Sequence, residues 1–146
     1  MEIIYWLFGT LAAGGLVLSL VTHVASLFGL PGPLGDSSFM LHVGIFVVWL
    51  PAVLVSQRLT KNSNRHDFWK VALRGCPPWM KYTTYGFLGY AIFNFILFVF
   101  LQSGAKHSSS EGVSPDVVRG FSGHWMAFYS AAAALLYSAA TVKKTE

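Results

Sequence analysis

Three histidines and an asparagine stand in stretches that are otherwise nearly free of polar side chains: His23, His42, Asn94 and His124. Imidazole titrates closer to neutrality than other side chains, and a neutral ring nitrogen is the commonest side-chain ligand for a metal. Ionisable groups inside apolar segments are rare, costly and usually tied to a site, so ligation or proton handling is the chemistry to consider first. His23 lies about five residues before the end of its apolar run and His42 about four after the start of the next. Asn94 lies about eight before the end of the third and His124 about seven into the fourth. With runs of alternating direction and a rise of about 1.5 Å per helical residue, all four fall at similar depth, in the outer half of a bilayer.

The leading expectation is one b-type haem held by two of His23, His42 and His124. Axial ligation needs only side chains, and the chain has no Cys-x-x-Cys-His sequence for covalent attachment. Gly15 and Gly123 would make room for a macrocycle, and Arg119, a little over one turn outward of His124, would meet its propionates. The function implied is electron transfer with a quinone or a partner membrane subunit. A second reading places zinc or copper on His23, His42 and His124, with an open position for water. Hydrolysis there would also need a general base, and no Asp or Glu lies within any of the four runs. The runner-up to haem, ahead of zinc or copper, makes the chain a non-catalytic structural or assembly subunit whose imidazoles and amide hydrogen-bond between helices. No phosphate-cradling loop, serine triad or nucleic-acid module is visible.

The elements that must position these residues follow from composition. Of 146 residues, 54% are hydrophobic and only 11% charged, against about a quarter charged in soluble domains. Four runs, at about residues 3–28, 39–57, 82–102 and 117–142, approach the roughly 20 apolar residues that a spanning helix needs. None carries the polar stripe of a soluble bundle helix. The expectation is an all-α integral membrane protein, a single domain over residues 1–146 folded as an antiparallel four-helix bundle. The first run lacks a basic start and exceeds the usual signal-peptide core of about 7–15 residues, so it reads as a retained span.

Charge distribution orients the spans. Arg58, Lys61, Arg65, Lys70, Arg74 and Lys81 separate the second and third runs, and Lys143 and Lys144 follow the fourth. Eight of the ten basic residues thus fall on one side, which the positive-inside rule makes cytoplasmic. Both termini are then inside a plasma or bacterial inner membrane, with Gly35 and Ser109 outside. The single cysteine, Cys76, excludes an internal disulfide.

Local signals fill in the rest. Asp36, Ser37 and Ser38 can cap the second span, and Ser114, Pro115 and Asp116 read as cap, first turn and dipole-matched acid for the fourth. Pro51 removes a donor and frees the carbonyl of Val47, which predicts a kink. Between spans two and three, Asp67, Lys70 and Arg74 share one helical face, while Phe68, Trp69, Ala72, Leu73 and Cys76 share the other. This pattern predicts a short amphipathic helix on the inner membrane surface, ended by Gly75 and Pro77–Pro78. Rows of small residues (Gly15, Ser19, Thr22 and Ser26; Gly123, Ala127, Ser130, Ala134 and Ser138) mark the faces where helices approach closely. His23 and His124 adjoin these rows; the neighbours of His42 leave its direction open.

Overall fold

The computed structural model describes residues 2–102 and 114–142. The polar loop with Lys106 and Ser109, and the tail with Lys143 and Lys144, lie outside the described residues. Five α-helices follow in chain order: α1 (Glu2–Leu27), α2 (Met40–Leu59), α3 (Phe68–Ala72), α4 (Pro78–Gln102) and α5 (Pro115–Thr141). Among the described residues there is no strand.

Among the described residues, three helices are long and apolar enough to cross a membrane: α1, α2 with the 3-10 turn that leads into it from Gly35, and α4 as far as Leu101. Their outer faces are apolar side chains with no protein cover; Ile3, Phe46 and Ile92 are 83%, 67% and 64% exposed. The fourth run forms a helix of comparable length, 27 residues, but α5 is not among the helices apolar enough to span by hydropathy. Its glycines and serines lower its hydropathy for a reason the packing makes plain. Helices α1, α2 and α4 all pack on α5, and Ser122, Trp125, Ala132, Ala134, Leu136 and Ser138 on it are wholly buried. A helix lined by protein needs small side chains for close approach more than it needs lipid-facing bulk.

The connection from α1 to α2 turns on glycine. Gly29 and Gly35 take φ values of 66° and 51°, the left-handed region in which a Cβ is penalised. The expected cap from Asp36, Ser37 or Ser38 is replaced by a 3-10 turn over Gly35–Phe39, in which Ser38 Oγ donates to the Gly35 carbonyl at 2.6 Å. The cap of α5 is as expected: Ser114 accepts from the Val117 amide, Pro115 opens the helix and Asp116 lies in its first turn. Pro51 lies inside α2, which continues through it to Leu59.

The segment joining α2 to α4 differs from the expected surface helix. Helix α3 covers only Phe68–Ala72, Asp67 belongs to the preceding 3-10 turn, and Pro78 already starts α4. Ala72, Leu73 and Cys76 are buried within the protein core. The connector is pinned to the end of α5: the Gly75 amide donates to Ser138 Oγ at 3.1 Å, Cys76 Sγ donates to the Ala134 carbonyl at 3.0 Å, and Thr141 Oγ1 meets the Gly75 carbonyl at 3.1 Å. The end of the connector at Gly75 and Cys76 therefore docks on α5, where its backbone and thiol find hydrogen-bonding partners that lipid tails cannot offer, while α3 itself lies against α2.

Burial raises the Cys76 thiol from an ordinary 9.0 to about 11, outweighing the opposing influence of Lys81 and of the hydrogen bonds with Ser138. The thiolate is the reactive form, so Cys76 in the folded protein should resist maleimide at pH 8 and label readily once denatured. Below pH 9 the thiol is neutral folded or unfolded; between 9 and about 11 only the unfolded chain ionises, so Cys76 contributes a loss of stability as pH rises through that window.

Candidate functional site

The buried face of α1 is Ala12, Gly15, Ser19, Thr22, His23 and Ser26, the row of small residues with the imidazole set into it. His23 is 3% exposed. Its Nδ1 lies 2.7 Å from Ser122 Oγ on α5 and its Nε2 lies 2.5 Å from the Tyr90 hydroxyl on α4. Ser122 Oγ also donates to the Arg119 carbonyl at 3.2 Å. With the one serine proton so placed, Nδ1–H donates to Ser122 Oγ and Nε2 accepts from Tyr90. One imidazole thus ties three helices together through both of its nitrogens.

Asn94 completes the α4 side. Its amide donates to the Arg119 and Gly120 carbonyls at 2.9 and 3.1 Å, using acceptors that already belong to the α5 ladder. The glycines on α5 permit this approach, since a Cβ on Gly123 would meet the Asn94 amide and one on Gly120 would meet the Phe98 ring. The space beside Gly15 is likewise filled, by the ring of Tyr129, whose hydroxyl donates to the Leu41 carbonyl of α2 at 2.8 Å. In this arrangement the two glycines expected to admit a macrocycle, Gly15 and Gly123, instead admit side chains of neighbouring helices.

No protein-family model matches the chain. Comparison with curated proteins and with solved structures likewise returns no match.

His42 and His124 form a second group, built between α2 and α5. Their rings meet edge to face, with centroids 5.6 Å apart. The Trp125 indole N–H donates to His42 Nδ1 at 3.0 Å, and Phe121 touches both imidazoles. Arg119 lies about one turn away on α5 and pairs with Asp116 at 3.2 Å. Among the described residues, no three His, Cys, Asp or Glu side chains converge as a metal site. The three histidines expected to share one site are divided, His42 with His124 and His23 with Ser122 and Tyr90.

Sequence reasoning missed Tyr90, Ser122 and Trp125 as members of these groups. A signal for Tyr90 was present: it precedes Asn94 by four residues and so shares its helical face, and a tyrosine hydroxyl in an apolar segment needs a partner. Trp125 carried the same signal, as an indole N–H beside His124. Ser122 carried none, because a serine in a small-residue row is equally explained by close packing.

Proposed function

We propose that the chain is a four-span integral membrane subunit, an antiparallel bundle with both termini cytoplasmic. In it His23, His42, Asn94 and His124 lock helices onto α5, and the apolar faces of α1, α2 and α4 are left to lipid and to a partner subunit. This is a structural or assembly role. The observation that carries it is that both ring nitrogens of His23 are engaged, by Ser122 and Tyr90. A ligating imidazole must keep one nitrogen for the metal.

His42 supports the same reading. Metal-bound histidines usually donate their second N–H to a carboxylate or carbonyl. His42 Nδ1 instead faces the Trp125 indole, which can only donate. The neutral ring then carries its proton on Nε2, the nitrogen an incoming metal would need. A cofactor reading, with b-type haem or a zinc or copper ion, has one supporting observation: the direct approach of the His42 and His124 rings.

The test is the optical spectrum and metal content of the full chain, purified from haem-replete cells. The expected protein is colourless and carries no stoichiometric metal. A b-type spectrum abolished by His124→Ala would instead establish ligation, with Arg119 the natural contact for propionates. For orientation, a reporter fused after Glu146 should be active in the cytoplasm, and a cysteine introduced at Ser109 should label from outside with an impermeant reagent. Labelling of that position only from the cytoplasmic side would reverse the topology.

A further inference from the structure

Among the described residues, basic side chains gather on the connector between α2 and α4. Lys61, Arg65, Lys70 and Arg74 are exposed there and Lys81 is half-buried, against one acid, Asp67. Trp69, Trp79 and Tyr82 stand beside them, 37%, 65% and 75% exposed. Basic residues that only set topology are read during insertion, by number and position, with no need of a folded arrangement. Here they sit on a folded platform. Leu73 and Ala72 are wholly buried, and Gly75 and Cys76 are hydrogen-bonded to α5, which fixes where the cations stand relative to the end of α5.

We infer that this platform binds the headgroup of an anionic phospholipid in the leaflet that the connector faces. Three observations select that occupant. The cations outnumber the acid on a connector that is bonded to α5 at Gly75 and Cys76, which suits a headgroup of net negative charge better than a zwitterionic one. The connector joins the ends of α2 and α4, so it lies at the level of headgroups. The exposed Trp79 and Tyr82 open α4, the place where amphipathic rings line the membrane interface. Because Ala72, Leu73 and Cys76 are buried in the protein core, the connector's contact with the bilayer is made by charge and by these rings rather than by hydrophobic insertion.

The experiment uses the full chain in neutral detergent with phosphatidylglycerol or phosphatidylcholine added, and reads lipid retained by native mass spectrometry. Phosphatidylglycerol should be retained in preference. Its apparent affinity should fall about fivefold for each charge removed, as expected at roughly 1 kcal/mol per basic residue near an anionic surface. The combined Lys61→Gln, Arg65→Gln, Lys70→Gln and Arg74→Gln variant should lose the preference, while Cys76 protection from maleimide reports that the platform is intact. If that protection is lost, the single variants Lys70→Gln and Arg74→Gln carry the test, each with its fivefold loss. Equal retention of the two lipids by the unaltered chain, or an unchanged preference in the protected variants, would overturn the inference. So would displacement of phosphatidylglycerol by millimolar inorganic phosphate, which would make this a free-phosphate site.

Discussion

Replacing Gly15 with leucine is expected to keep α1 from seating on α5. A Cβ at this position would already meet the ring atoms of Tyr129, and that ring cannot swing away freely because its hydroxyl is bonded to the Leu41 carbonyl. The substitution therefore strikes α1, α2 and α5 at once. Overpacking typically costs about 1–3 kcal/mol, and a buried ring tethered at its far end places this case at or above the top of that range. The check is unfolding of the purified protein in mixed micelles with increasing SDS. Gly86→Leu and Gly89→Leu are the controls: nothing lies within 4 Å of a Cβ at either position, so both should unfold close to the unaltered protein. Equal losses at Gly15 and Gly86 would show that α1 does not approach α5 at Tyr129.

His23→Ala should be the most damaging change among the polar residues. It removes bonds to Ser122 and Tyr90 and opens a void against a helix that cannot collapse easily. Hydrogen bonds between membrane helices average about 0.6 kcal/mol and reach about 1.7. Adding a modest cavity cost, the expected loss is roughly 2–4 kcal/mol in the same SDS titration. His23→Phe restores volume but not bonding, so it should recover only the cavity part. The corresponding change at His42 should cost less, since His42 is only half-buried and its ring is bonded through one nitrogen.

The residues that the sequence made legible are those whose pattern has a single physical meaning. The buried face of α1 was readable because a row of Gly15, Ser19, Thr22 and Ser26 cannot serve lipid contact, and His23 was placed inward with it. The cap at Ser114 was readable because its chemistry is local. The separation of His23 from His42 and His124 was not. Depth along a helix follows from counting residues, whereas position around α5 depends on which neighbour each face meets, and that is set by contacts between distant segments. The burial of Leu73 in the core and the docking of Cys76 on α5 were hidden for a related reason: an amphipathic segment shows that it buries one face, but not whether lipid or protein covers it. The lower hydropathy of α5 is the same ambiguity seen from inside, since a helix rich in alanine and serine is what three apolar neighbours require.

His23 fastens α4 to α1 and α5 through Tyr90 and Ser122, and the coupling free energy between His23 and Tyr90 measures that link itself. His23→Phe, Tyr90→Phe and the double variant are compared with the unaltered chain by SDS unfolding in mixed micelles. Tyr90→Phe keeps the ring and removes only the hydroxyl that faces Nε2. A coupling of about 0.6–1.7 kcal/mol, the range for hydrogen bonds between membrane helices, is the predicted result. Additive single effects, with no coupling, would contradict it, because the imidazole would then be free of Tyr90 and have a nitrogen to offer elsewhere.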